Sequence, residues 1–373
     1  MTGIYDYMTM HMKEIQQDIL TLVQKESPSI DRDAANKCKE SIQQLLMREF
    51  KQRAEEFPQQ EHGSHLRFDY GDGAEQLLLV GHYDTVWKKG VFPIKQDGDK
   101  LYGPGILDMK SSIVMAVWAL KACRELEIGI PYKIVCIFNS DEEVGSKTSR
   151  ELIKEEAKKS KVALVLEPPE ASGALKTSRK GILSYDIEIT GKAAHAGNAF
   201  TLGVSAIIEA AKQIEHLSHL TDLELGTTVN IGTIQGGSAK NVVPERVHLG
   251  VDVRVLTKHQ QSHIERFFKQ LKPTRKDITL TVTSGVDRPP MPRLDSTEHI
   301  FDETYAIAGE LDYIVKQIAA GGGSDANFTS EFTPTLDGLG VIGEGMHASN
   351  EHIVLSEIPK RFALLAKLIT ELK

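Results

Sequence analysis

Up to Pro168 and Pro169, the apolar and polar positions of this chain switch repeatedly between two rhythms. Helical spacing runs from about residue 8 to 25 and from about 31 to 56. The second stretch opens on the acidic turn "DRDAANK", as the positive end of a helix dipole prefers. "QLLLVGH" (76–82), "YKIVCIFNS" (132–140) and "KVALVLEP" (161–168) are nearly continuous apolar runs of strand length. Between them lie the helix-like "MKSSIVMAVWALKACREL" and "SKTSRELIKEEAKK". Strands that alternate with helices need crossover connections, so the pattern predicts an α/β domain with a mostly parallel sheet flanked by helices.

Beyond the two prolines the rhythm changes. "ILSYDIEITG" and "RVHLGVDVRV" alternate apolar with polar residues, as half-exposed antiparallel strands do, while "GVSAIIEAAKQIEHLSHL" and "QSHIERFFKQL" are amphipathic helices. That is an α+β unit. "DRPPMPRL" leads out of it, followed by the glycine-rich turn "GGGSDANFTSEF", a short strand "LDGLGVIG" and a closing helix "EIPKRFALLAKLITEL". The expected organisation is one α/β domain built from residues 1–176 and 288–373, with an α+β unit of residues 177–287 inserted in it. Two bodies joined in this way place a cleft between them, a usual position for a small-molecule site.

The length of 373 residues suits two domains. A net charge of −8 opposes a nucleic-acid role, because phosphate binding needs a basic face. No apolar stretch reaches the roughly 18 residues a membrane span needs, and the N-terminus lacks a basic region followed by an apolar one. Three widely spaced cysteines, Cys38, Cys123 and Cys136, fit neither a disulfide framework nor a thiolate metal site. The expectation is a cytoplasmic protein with no membrane and no nucleic-acid partner.

The candidate chemistry lies where the apolar runs stop. His82 and Asp84 close the first strand, Asp108 sits in "YGPGILDMKSS", Asp141, Glu142 and Glu143 follow the second in "NSDEEVGS", and Glu167 ends the third. In an open α/β sheet such loops share one edge, and acids gathered there without a counter-charge repel one another. Bound divalent cations remove the conflict. The i, i+2 pair His82 and Asp84 projects to one side of an extended chain, so the aspartate can accept the second ring N–H of a metal-bound histidine. Glu142 and Glu143, in an extended loop, point to opposite sides; one can bind metal while the other acts as a general base on a metal-bound water. His347, in "GEGMHASNEHI", completes the set, whereas His352 precedes the strand-like "IVLS" and reads as a surface residue.

These residues lie in motifs that resemble, in the same order, those of the M20 metallopeptidases: "GHYDTV", "GPGILDMKSS", "NSDEEVGS", "LEP", "AAHAG", "GGSAKNVVPE", "GGGSDANF" and "MHASNEHI". The resemblance covers nearly the whole chain and is strongest to the glutamate carboxypeptidase (carboxypeptidase G2) branch. It implies a zinc-exopeptidase-like catalytic domain with an inserted lid and dimerisation domain, and two zinc ions bridged by Asp108 and a water. His82 and Glu167 would complete one metal site, Glu143 and His347 the other; Glu142 would be the base, with Asp84 behind His82. A cis peptide bond between Asp108 and Met109 is implied as well. In the lid, His195 would stabilise the oxyanion in the partner subunit of a homodimer and Asn241 would contact substrate; outside it, the glycines Gly322 and Gly323, with Ser324 beside them, would contact substrate too, and Arg288 would bind a substrate carboxylate.

Together these readings predict hydrolysis of an amide bond next to a free-carboxylate amino acid, by a C-terminal exopeptidase or an N-acyl amino acid deacylase. Its substrate would be a small molecule or a short peptide. Zinc is the expected metal, although manganese and cobalt suit imidazole and carboxylate ligands too. The alternatives are a di- or tripeptide aminopeptidase of the same family, for which Glu167 would more usually be aspartate, and a non-catalytic metal-binding homologue.

Overall fold

In the computed structural model, which describes residues 3–373, the three apolar runs become neighbouring strands. Glu75–His82 lies between Tyr132–Asn139 and Ser160–Val165 and runs parallel to both. Thr335–Leu336 extends the parallel set beside Ser160–Val165. On the other side, His65–Tyr70 and then Glu55–Phe57 add antiparallel strands, which completes a six-stranded sheet.

Alternation along the central strand assigns the two faces. Leu77 and Leu79 enter one large apolar cluster with helices Met12–Val23, Arg32–Phe50, Ser111–Glu125 and Ile358–Glu371. Leu78 and Val80, equally buried, point the opposite way, and helix Arg150–Ala157 packs against this strand and its neighbour Ser160–Val165. Ser111–Glu125 is apolar on nearly all sides, as a helix enclosed by others must be. Its Trp118 donates its indole N–H to Asp18, whose carboxylate is also gripped by Arg48.

Several elements depart from the periodicity. The first helical stretch is two helices, Ile4–Met10 and Met12–Val23, with the break at His11. The second stops at Phe50, because Lys51 turns into the left-handed region and sends the chain into the strand Glu55–Phe57. "LDGLGVIG" is no single strand: Thr335–Leu336 belongs to the main sheet, and Gly343–Glu344 belongs to a second, four-stranded sheet with Lys95–Asp97, Lys100–Tyr102 and His352–Val354. His352 is therefore buried, not on the surface: its ring lies 5.0 Å from that of Tyr102 and its Nδ1 is 2.8 Å from the Asn350 carbonyl.

All these elements fall in one compact unit, made of the chain through Thr177, Arg293–Ala319 and Ser324–Lys373. The other unit comprises Ser178–Pro292 and Ala320–Gly323. It holds a four-stranded antiparallel sheet in the order Thr228–Gly236, Arg246–Val255, Gly181–Thr190, Thr279–Arg288. Leu183, Tyr185, Ile187 and Ile189 face a core shared with helices Ala206–Ser218 and Lys258–Gln270, while Asp186 and Glu188 face solvent. Phe268 stacks flat on Tyr185 at 3.6 Å. Thr257 and Gln260 form a reciprocal capping box that starts the second of these helices. Among the described residues, no helix is long and apolar enough to cross a membrane.

Candidate metal centre

Parallel pairing brings the acids and imidazoles of the first unit together. His82 pairs with Asn139 and Val80 with Val165, so His82, the loop from Asp141 to Glu143, and Glu167 all emerge at the same edge of the sheet. Asp108 arrives from the turn before helix Ser111–Glu125. That turn lies tight against the His82 loop: Gly105 has a positive φ of 71°, and a Cβ there would collide with the Thr85 methyl. The Asp108–Met109 peptide is cis.

The two carboxylate oxygens of Asp108 face different histidines. Oδ1 lies 3.0 Å from His82 Nε2, and Oδ2 lies 3.2 Å from His347 Nε2. Glu167 Oε1 is 3.6 Å from the same His82 nitrogen, and Glu143 Oε2 is 3.2 Å from the same His347 nitrogen. Two clusters, each with a histidine and a carboxylate of its own, thus share Asp108. Ligand atoms of His82, Asp108 and Glu143, and likewise of His82, Glu142 and Glu167, lie within 4.8 Å of one another. His347 reaches the cluster from a left-handed backbone conformation with a φ of 59°.

The electrostatics of these side chains fit an ion-binding site. Burial pushes the Glu143 carboxyl up to about 7, against the pull of His347, and Asp108 and Glu143 together push His347 up to about 10. Desolvation works against charging His82 and Asp108, yet the contacts of Asp108 with His347 and then His82 lower the aspartate, and those of His82 with Asp108 and then Asp84 raise the histidine. Glu143 Oε1 is buried with no hydrogen-bond partner, a costly arrangement for a carboxylate and a natural one for a metal ligand. The donor set is imidazole and carboxylate without thiolate, which fits zinc, manganese or cobalt.

Asp84 is placed differently from the simple orienting role. The His82 Nδ1 is 3.0 Å from the Asp84 main-chain carbonyl and 3.4 Å from its carboxylate. The carboxylate, fully buried, instead receives the main-chain N–H groups of Glu142 and Glu143, each at 3.2 Å, and the Ser29 hydroxyl at 2.6 Å. Glu142–Val144 is accordingly a 3₁₀ turn rather than an extended loop. The two glutamates therefore do not point to opposite sides: each has a carboxylate oxygen within 4.8 Å of a His82 ring nitrogen, Glu143 alongside Asp108 and Glu142 alongside Glu167.

Of the remaining candidates, all but Ser324 belong to the second unit. His195 is exposed, on the two-residue strand Ala194–His195, and its Nδ1 accepts the N–H groups of Gly197 at 3.1 Å and Asn198 at 3.0 Å. Its ring hydrogen therefore sits on Nε2. Asn241, also exposed, accepts the Ala196 N–H at its main-chain carbonyl. Arg288 ends an edge strand and is buried. The carbonyls of Gly322 and Gly323 are held by Arg179 Nη1 at 3.0 and 3.3 Å. Ser324, back in the first unit, donates to Asp337 at 2.7 Å. Sequence reasoning missed Ser29, Arg179 and Glu351. Each acts on main chain or on an acid distant in sequence.

The model of peptidase family M20/M25/M40 matches residues 78–371. Carboxypeptidase G2 of Pseudomonas sp. strain RS-16 is 33% identical over 313 residues, covering 81% of this chain and 75% of that one. Among solved structures, aminopeptidase PepT of Bacillus cereus has a TM-score of 0.79 at 23% identity, covering 96% of this chain and 98% of its own. A dinuclear metal-binding peptidase of the M20 family from Bacillus subtilis has a TM-score of 0.68 at 16% identity, covering 96% and 98%. With its sheet-edge cluster of histidines and carboxylates and a family match over most of its length, this chain belongs to peptidase family M20/M25/M40 and is a metallohydrolase.

Proposed function

We propose that this enzyme uses two divalent metal ions, zinc in the first instance, to hydrolyse an amide bond beside an amino acid with a free carboxylate. The observation that carries the reading is Asp108, whose two oxygens face His82 and His347 separately. His82, Glu167 and Asp108 would hold one ion; Glu143, His347 and Asp108 would hold the other. Ions held there would supply an acidified water and polarisation of the scissile carbonyl.

The chain's own groups do the rest. Glu142, on the turn held by Asp84, takes the proton from the attacking water and returns it to the leaving amine. His195, whose Nδ1 is already occupied by two main-chain N–H groups, has an Nε2–H to offer to the oxyanion. In a homodimer formed through the second unit, that histidine serves the site of the other subunit. Asn241 and the Gly322–Gly323 segment contact the substrate, and Arg288 offers a planar fork to its carboxylate. The likeness to carboxypeptidase G2, together with glutamate at position 167, favours a C-terminal exopeptidase or an N-acyl amino acid deacylase over an aminopeptidase. A reducing cytoplasm suits the three buried free thiols of Cys38, Cys123 and Cys136.

The test is release of free amino acid by the zinc-loaded enzyme from three substrate sets: N-acyl amino acids, peptides ending in glutamate, and dipeptides with a free N-terminus. Turnover of the N-blocked, carboxylate-bearing compounds supports the reading, and Arg288→Ala should then raise KM more than it lowers kcat. Preference for free N-termini replaces it with the aminopeptidase reading. No turnover with both metals bound points to a binding protein.

A further inference from the structure

Glu351 is fully buried, and its carboxylate receives four N–H groups from two other segments. Oε2 accepts the Gly105 N–H at 3.0 Å and the indole N–H of Trp87. Oε1 accepts Leu107 at 2.9 Å and Asp108 at 3.2 Å. Gly105, Leu107 and Asp108 are the turn that presents the shared aspartate. Trp87 lies in the loop that follows His82 and Asp84. Glu351 itself shares a loop with His347, closed by the Ala348-to-Gly345 and Glu351-to-Ala348 main-chain bonds. One carboxylate therefore ties together the three segments that carry His82, Asp108 and His347.

We propose that Glu351 is a positioning residue for the metal pair, fixing the Asp108 turn against the His82 and His347 loops so that one carboxylate can serve both ions. This deepens the dinuclear reading and rests on it. The geometry explains why the residue must be an intact carboxylate of this length. Each oxygen accepts two N–H groups, so an amide in its place would turn an NH₂ toward two donors, leaving them unpaired in a buried site. Aspartate keeps the charge but is one methylene too short to reach both the turn and the indole.

The experiment is titration of the chelator-stripped full-length protein with Zn²⁺ alone, followed by calorimetry, with Trp87 emission taken as the difference between wild type and Trp87→Phe. Wild type should bind two ions with a change in Trp87 emission. Glu351→Gln should bind them roughly 10- to 100-fold more weakly, the range seen when groups that orient metal ligands are removed. Glu351→Asp should fall between, and Trp87→Phe, which removes the tie to the His82 loop but leaves the three main-chain bonds in place, should weaken binding less than Glu351→Gln does. A Glu351→Gln protein that binds Zn²⁺ as wild type does, even with a lowered melting temperature, overturns the proposal, because a merely structural role predicts that result. Should that variant not fold, wild-type binding by Glu351→Asp overturns it equally. Failure of the wild type to bind zinc would instead sink the metal-centre reading on which the proposal stands.

Discussion

Asp84 and Glu142 are joined by a 3.2 Å hydrogen bond from the glutamate's main-chain nitrogen to a buried carboxylate oxygen, so the proposed general base is aimed by a residue 58 positions earlier in the chain. The other oxygen of Asp84 holds Glu143 in the same way. The proposed base and a proposed metal ligand are thus set by one side chain.

Asp84→Asn keeps the volume but turns an NH₂ toward one of these N–H donors. We expect kcat to fall about 10- to 100-fold, with KM changed much less, since the substituted group touches no substrate. Steady-state kinetics with metal analysis of the same samples checks this; a KM effect alone would contradict the assignment.

Glu142→Gln should lower kcat by roughly two to four orders of magnitude, the usual contribution of a positioned acid–base group. Both ions should remain bound. Loss of metal together with activity would mean that Glu142 is chiefly a ligand.

Ions that bind only the folded chain stabilise it by mass action, about 4 kcal/mol at a free concentration a thousand times the dissociation constant. Chelation should therefore lower the melting temperature, and Zn²⁺ should restore it. In His347→Ala the zinc-dependent part of that shift should shrink, measurable by scanning calorimetry with and without chelator.

Away from the centre, Glu156 links helix Arg150–Ala157 to the sheet through Arg67 and Gln76, and Lys159 joins it. Desolvation opposes its ionisation, but Lys159, Arg67 and Gln76 prevail and hold the carboxyl below the ordinary glutamate range. A depressed value means stability that is present above the unfolded pKa of about 4.3 and lost as pH falls through the lower folded value. Glu156→Gln should cost roughly 1–3 kcal/mol at neutral pH, with the deficit shrinking on acidification. Urea melts at pH 7 and near pH 3 measure the two ends.

The sheet and the candidate site at its edge were legible because the same feature announces both: a strand buried on two faces is a continuous apolar run, and His82 and Glu167 are the first chemistry-bearing residues where such runs stop. The change of rhythm at Pro168 likewise marked the start of a different sheet. What stayed hidden has a physical reason in each case. Lys95–Asp97, Lys100–Tyr102 and Gly343–Glu344 are too short for any period to emerge, and His352 looked like a surface residue because the strands that flank its own left no pattern. The helical turn at Glu142 follows from a hydrogen bond to Asp84, and the hold of Glu351 on Gly105 spans 246 positions. Contacts of that kind leave no local trace.

The two histidines of the centre differ in their access to water: the side chain of His82 is 1% exposed and that of His347 is 50% exposed. A scavenging ligand in solution can approach the His347 side directly, whereas the His82 side is walled in by the sheet edge. With the proposed pair of ions bound, depletion should therefore be sequential, the ion beside His347 leaving first and a one-metal protein accumulating on the way. Reloading that intermediate with Co²⁺ would place the coloured ion at the outer position, giving a mixed-metal enzyme in which each half of the centre can be followed separately.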